Sequence, residues 1–335
     1  MAGVSTPELA AAVSNAGALG SIAVGAVNAT AARQLIQSTR ALTDQPFNVN
    51  LFCHQPPQRS AEIEQEWVKH LTPHFARFGV NPPNDLNEIY LSFLEDPNML
   101  SVLLDERPAV VSFHFGLPAS TWIQQLQDKG IVTLACVTSV GEAQLAIAAG
   151  VDALVAQGIE AGGHRGIFDA QQDSGLTTMD LVTQLTSLVE LPVIAAGAIM
   201  TGADIATAIN AGAAAVQMGT AFVLCPESSA NEGYRANLSR GAAINTEITS
   251  AISGRPARGI INRAHTEIEP NNRVHIPDYP LTYDAMKQLA AAAAAQGDEG
   301  YGAHWAGTGA KLARAMPAEQ LVKTLVSELQ ASFKS

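Results

Sequence analysis

The chain has 335 residues, 47% of them apolar and 15% charged, enough for a large buried core, and its formal net charge is −12. That acidity sets it against nucleic acid and anionic lipid, which are bound by clustered Lys and Arg. It leaves open an anionic small ligand held in a locally positive pocket or by backbone N–H groups.

Met1-Ala2-Gly3-Val4 reads as a loop that follows a strand. Ser5-Thr6-Pro7-Glu8 then opens a helix, with proline in its first turn and Glu8 placed to close a capping box. The mildly apolar stretch 10–27 lacks a basic leader and carries Ser14, Asn15 and Ser21, so it is not read as a signal peptide. No run is long and apolar enough to span a bilayer. Three cysteines, Cys53, Cys136 and Cys225, stand far apart in no Cys-x-x-Cys spacing and read as free thiols of a reducing compartment; a soluble cytoplasmic protein is expected.

Short apolar runs that do not alternate strictly predict strands buried on both faces at 19–24, 47–51, 109–113, 132–137, 153–156, 193–196 and 214–218. Within the second, Asn48 and Asn50 share one face and point into the mouth of the sheet. A helical insertion is predicted over 60–107, with turns at Asn81-Pro82-Pro83 and Asp96-Pro97. His70 and His74, spaced i, i+4 but without an adjacent glutamate and with Pro73 between them, read as surface and not as a metal site. Phe113-His114-Phe115-Gly116 ends the third strand and carries His114 to its C-terminal end, either as a satisfied core histidine or as part of a site.

Ser139-Val140-Gly141-Glu142 and Thr201-Gly202-Ala203-Asp204 open further helices, and Gly150 and Gly212 stand where C-cap glycines precede a strand. Between them comes the most informative segment, Gln157-Gly158-Ile159-Glu160-Ala161-Gly162-Gly163-His164-Arg165-Gly166, directly after a strand. Paired glycines let a flat ligand approach the backbone, and an adjacent histidine can donate a hydrogen bond or take a proton near neutral pH. The strands at 193–196 and 214–218 end in the small-residue turns Gly197-Ala198 and Gly219-Thr220. If they are strands seven and eight of a barrel, these turns form a phosphate-binding corner. No Lys or Arg falls in either, so backbone N–H groups and a helix N-terminus must supply the field, with the Thr220 hydroxyl assisting.

Residues 226–301 show no β/α repeat and contain a turn at Ser253-Gly254-Arg255-Pro256 and a helix at 283–295. Tyr279, Tyr283 and Lys287, at i, i+4 and i+8, read from spacing alone as an exposed helix face. A last helix, 317–333, packs back on the barrel. The expected architecture is α/β, a (β/α)₈ TIM barrel from 1–225 and 308–335, with a smaller, mainly helical cap domain at 226–307. A barrel needs eight strands and seven are found, so the first strand is expected upstream and Met1 is expected to be an internal methionine.

The segments 1–21, 47–55, 113–116, 157–166, 192–199, 216–222 and 275–289 together resemble the class I nitronate monooxygenases, also called 2-nitropropane dioxygenases. Gly162-Gly163-His164-Arg165-Gly166 is the most specific of these motifs, supported by the Tyr-Pro-Leu-Thr-Tyr-Asp-Ala-Met-Lys run from Tyr279 to Lys287. The resemblance implies an FMN barrel with a small helical domain and the oxidation of alkyl nitronates by O₂ to carbonyl compounds and nitrite. It implies that Met1, Asn50, Gln157, Gly162, Gly163, Gly197, Ala198, Gln217, Met218, Gly219 and Thr220 contact FMN. His164 is implied as the active-site histidine and as the base for neutral nitroalkanes. His114, Tyr279, Tyr283 and Lys287 are implied to line the substrate pocket, with His164, His114 and Lys287 making it locally positive. Ala198 stands where the family has a second glycine, so the turn must avoid positive φ there or carry strain. Two other readings follow the same residues: an FMN-dependent enoyl-thioester or NAD(P)H:quinone reductase on this barrel, and a degenerate, non-catalytic flavin binder. The expected partners are a small nitronate and O₂, with neither nucleic acid nor membrane, and a homo-oligomer is left open.

Overall fold

All seven apolar runs become strands because each is too short for a helix of its own and too apolar to face water. The computed structural model describes residues 1–268 and 274–334. The strands are β1 (Gly20–Ala23), β2 (Phe47–Phe52), β3 (Val110–His114), β4 (Val132–Val137), β5 (Ala153–Gln157), β6 (Gly163–His164), β7 (Val193–Ala196), β8 (Ala215–Gln217), β9 (Thr246–Thr249) and β10 (Ala257–Ile260). Seven of them form one parallel sheet in the order β1-β2-β3-β4-β5-β7-β8, curled as a TIM-barrel-like α/β fold. Among the described residues β1 and β8 are its two ends and do not pair with each other. The register aligns the C-terminal ends: Phe52 faces His114, Val137 faces Ala156, Gln157 faces Ala196, and Ala196 faces Gln217. The loops that carry the motifs therefore share one end of the sheet, where barrel active sites are built.

The helices are α1 (Pro7–Asn15), α2 (Ala29–Leu42), α3 (Ala61–Ala76), α4 (Pro97–Glu106), α5 (Ser120–Gln127), α6 (Val140–Ala149), α7 (Thr178–Leu188), α8 (Gly202–Asn210), α9 (Glu232–Leu238), α10 (Leu281–Ala294) and α11 (Ala318–Ser332). Their starts follow local chemistry. Ser139 caps α6, and Thr201 with Asp204 forms a capping box on α8. At α1 the cap is Thr6 and not Ser5: Pro7 occupies the first helical position, so Thr6 accepts from the Leu9 N–H and Glu8 sits one residue early to close a box. Gly150 and Gly212 take positive φ of 88° and 102°, as expected at helix ends. α11 packs back on α8 and α1. None of the described helices is long and apolar enough to cross a membrane.

The main apolar core joins the sheet (Ile22, Val49, Leu51, Val111, Phe113, Leu154) to the covering helices through Leu9, Ile36, Leu103, Leu126, Leu181 and Leu325. A second core joins Trp67, Leu71, Phe75 and Leu86 of the insertion to Ile252, Leu281, Met286, Leu289 and Tyr301. The insertion thus packs with the 251–301 region. It is less helical than its sequence suggests, with irregular chain between α3 and a short 3₁₀ turn at Phe93–Glu95. Pro73 lies inside α3 without ending it, and His74 is buried with Nδ1 3.3 Å from the Tyr301 hydroxyl. The surface reading of His74 is corrected because Tyr301, distant in sequence, folds over it. A three-stranded antiparallel sheet, β6-β10-β9, ties this second unit to the loop after β5.

Candidate active site

The loop from Gln157 to Gly166 is shaped from within by one side chain. Arg165 is fully buried; its Nη1 donates to Gln157 O, Gln157 Oε1 (2.8 Å) and Gly158 O (2.6 Å), and its Nε and Nη2 form a fork with Asp173 at 2.7 and 3.1 Å. Gln157 completes the knot, accepting from the Gly166 N–H and donating to His164 O at 3.0 Å. The side chain implied to touch a cofactor is thus largely engaged in holding the loop. Gly162 also has a packing reason: a Cβ there would clash with Gly307 N and lie 2.6 Å from Ala306 C, so the glycine admits the chain that crosses it.

The loop delivers His164 into an aromatic cluster. Its ring centroid lies 5.3 Å from Trp305, 5.4 Å from Phe115, 5.5 Å from Tyr279 and 6.1 Å from Tyr283. With Ser253 Oγ donating to Arg255 O at 3.1 Å, it accepts from His164 Nε2–H at 2.9 Å, a tautomer that leaves the lone pair on Nδ1. His114 Nε2 likewise must donate to the carbonyl of His164, at 3.2 Å. His114, His164, Tyr279 and Tyr283 are therefore brought together. Tyr279 precedes α10 and is not on its face; it reaches Tyr283 with centroids 6.4 Å apart. Lys287 is exposed at the rim, donating to the Tyr90 hydroxyl at 2.7 Å and lying over the rings of Tyr90 and Tyr283.

Burial, then the neighbouring charges of His114, Arg255 and His54, pushes His164 down to about 3; burial does the same to His114. Both rings are neutral at pH 7, so neither makes the pocket positive. That differs from the expectation of a site charged by His164, His114 and Lys287, because the half-buried imidazoles lie against aromatic rings that solvate an imidazolium poorly. Burial also holds His54 and His304 at about 4. Each folded-state value lies below the ordinary 6.5, so the unfolded chain protonates first. The stability from these groups is complete above pH 6.5 and is lost as pH falls toward 4 and 3. Urea midpoints are expected to be level from pH 8 to 7 and to drop steeply below 6.5; a midpoint unchanged at pH 5 would contradict neutral buried histidines.

Around the strand ends lie groups with unfilled hydrogen-bonding capacity. Among the described residues, the backbone N–H groups of Gly197, Ala198, Gly219 and Thr220 donate to no protein acceptor. Gly197 has φ 135° and Ala198 φ 54°, so the turn does not avoid the left-handed region at the alanine; the strain there is about 1 kcal/mol. The N-terminus of α8 is largely satisfied within the protein. Asp204 accepts from the N–H groups of Met200 and Thr201, and Glu328 from that of Gly202. The two turns thus leave four N–H groups free at this corner. Thr220 Oγ1 accepts from Gly307 N at 3.1 Å, and a Cβ on Gly219 would lie 3.4 Å from Met1 Sδ, so Met1 stands beside this turn. Gln217 is exposed on β8, Met218 is partly buried. Within the sheet, Asn48 donates to Ser21 and Ser112, and Ser112 donates to Asn50 Oδ1, so both asparagines share a face as expected; the buried Asn48 Oδ1 has no partner. A phosphate and a polar ring edge fit this donor set.

Five residues of the cluster carry no role in the sequence reading. Ser253 and Arg255 come from a stretch that reads only as a turn, and Trp305 and Tyr90 carry no local signal. His54 had one: it lies two residues past β2, at the sheet end where sites form. It is fully buried, and its ring nitrogens have no aligned partner, only the Tyr90 backbone nearby.

A family model described as nitronate monooxygenase matches residues 1–328. The nitronate monooxygenase of Paraburkholderia phytofirmans is 56% identical, over 100% of this chain and 92% of the relative. That of Pseudomonas aeruginosa is 54% identical, over 98% and 94%. Among solved structures, the nitroalkane oxidase of Streptomyces ansochromogenes matches with a TM-score of 0.89 at 37% identity, over 100% of this chain and 95% of that one.

Proposed function

This chain belongs to the nitronate monooxygenase family, and from that premise we infer that it binds FMN and oxidises small alkyl nitronates with O₂ to carbonyl compounds and nitrite. The observation that carries the reading is the meeting of His164, His114, Tyr279 and Tyr283 at the sheet end that also holds the unpaired N–H groups of Gly197, Ala198, Gly219 and Thr220. Those four N–H groups would hold the FMN phosphate, and Asn50, Gln157, Gly162, Gly163, Gln217, Met218 and Met1 would flank the rest. FMN, when bound, supplies the electron transfer between nitronate and O₂.

The chain's own residues bind and shield. Tyr279, Tyr283, Phe115 and Trp305 keep water from the reacting carbon, and Lys287 at the rim draws in an anion. His164 offers Nδ1 as an acceptor. With its imidazole held near 3 it is a weak base, so carbon acids that still carry their proton are poor substrates, whereas a nitronate has already lost it. Free, buried cysteines support a reducing, cytoplasmic setting.

The test compares ethyl nitronate with nitroethane on flavin-loaded enzyme at pH 7.5. kcat/KM is expected to be roughly 10²-fold or more higher for the nitronate, a gap of about 3 kcal/mol in transition-state stabilisation, and mass spectrometry of the released cofactor to give FMN. Equal kcat/KM values, or FAD as the main species, would count against this reading.

A further inference from the structure

We propose that Arg255, a residue outside the motifs of the sequence, is the charge that selects an anionic substrate in this pocket. The inference rests on the nitronate reading above and names the group that reads the anion.

Two arginines of this chain are buried against the same loop, and they differ. Arg165 forks onto Asp173. Arg255 is 6% exposed and forms no ion pair among the described residues; Asp169, Asp278 and Glu142 act on it only through space. One Nη2–H is anchored on Ile167 O, the guanidinium lies 4.6 Å over the Phe115 ring, and the buried Nε–H donates to nothing. Phe115 is the hub of the site, touching His114, His164, Tyr279 and His54. A further buried group beside that hub, the Tyr279 hydroxyl, has no partner among the described residues.

A buried cation without a counter-ion is costly, because desolvation is not offset by a paired charge. With His164 and His114 neutral and Lys287 exposed, Arg255 is the permanent positive charge inside the cluster. Its field favours a ligand that brings a negative charge, and an acidic chain otherwise repels one. The position is fixed by its neighbours: the Ser253–Arg255 turn accepts the His164 Nε2–H, so the cation and the imidazole move together.

The experiment compares wild type, Arg255→Met and Arg255→Lys as flavin-loaded enzymes, with ethyl nitronate and neutral nitroethane. Arg255→Met is expected to raise KM for the nitronate roughly tenfold or more with kcat changed less, since a charge that holds the anion equally in ground and transition states acts on binding. KM for nitroethane should stay within about threefold, and Arg255→Lys should recover most of the loss. A nitronate KM unchanged in Arg255→Met, or an equal rise for both substrates, would overturn the assignment. Should Arg255→Met fail to fold, wild-type holoenzyme decides: its Tm should rise with sodium nitrite relative to sodium chloride at equal ionic strength, and no rise overturns the proposal. A wild type that releases no nitrite from any nitronate sinks the functional reading instead, and the nitrite titration then still tests the buried cation.

Discussion

His164→Ala is expected to lower nitroethane turnover by roughly 10²-fold or more while the flavin stays bound, with a smaller loss toward ethyl nitronate. His164 sits where β6 pairs with β10, and its Nε2–H is fixed on Ser253, which leaves Nδ1 as the one acceptor it can turn to a substrate. A nitroalkane must give up a carbon-bound proton, and removal of the acceptor strands that step. A nitronate needs no such transfer and loses only packing among Phe115, Tyr279, Tyr283 and Trp305. Flavin should remain because the backbone donors at Gly197, Ala198, Gly219 and Thr220 lie on other loops. His164→Asn, which keeps a polar group but no imidazole, should behave similarly. Full activity of His164→Ala toward both substrates would remove the residue from the site.

Arg165→Met is expected to be the most destabilising single change in the loop, by about 3 kcal/mol, near the low end for breaking a buried pair because Asp173 keeps 23% exposure. The substitution removes the donors to Gln157 O, Gln157 Oε1, Gly158 O and both Asp173 oxygens at once. A methionine fills much of the volume and satisfies none of them. With the loop loosened, His164 and the glycines lose their positions, so flavin content should fall along with the urea midpoint. Arg165→Lys keeps the charge but not the fork and should recover only part. A midpoint and flavin content equal to wild type would show that the loop is held by something else.

How much of this was legible varies with the range of the interaction. The strands were, because a run such as Val193–Ala196 between glycine-rich turns has few other outcomes in a water-filled world. So was the capping box of Thr201 and Asp204, whose partners lie three residues apart. At α1 the same local logic slipped by one residue, since it weighed Glu8 above the demand of Pro7 for the first helical position. The motif around His164 comes to the sheet end where Phe115, Tyr279, Tyr283 and Trp305 also meet, but the environment of its imidazole is set by the fold. The low proton affinity of the two imidazoles depends on Tyr279, Phe115 and Trp305 packing on His164 and on Phe115 packing on His114, and no spacing in the chain announces that. Arg165, given no role of its own by the sequence, braces the motif from within. Ser253 and Arg255 lie about ninety residues beyond His164, so only the fold reveals that Ser253 meets it and that Arg255 acts on it through space. His74 looked exposed because its cover, Tyr301, lies far along the chain.

The central claim is that this sheet end, with FMN bound, consumes a nitronate and O₂. Purified holoenzyme mixed with ethyl nitronate in an oxygen electrode, with nitrite measured in the same samples, tests it most directly. The account predicts that nitrite appears as O₂ disappears, without added NADH or NADPH. No nitrite from the nitronate, together with bleaching of the flavin by NADH or NADPH, would contradict it and point to a reductase on the same barrel.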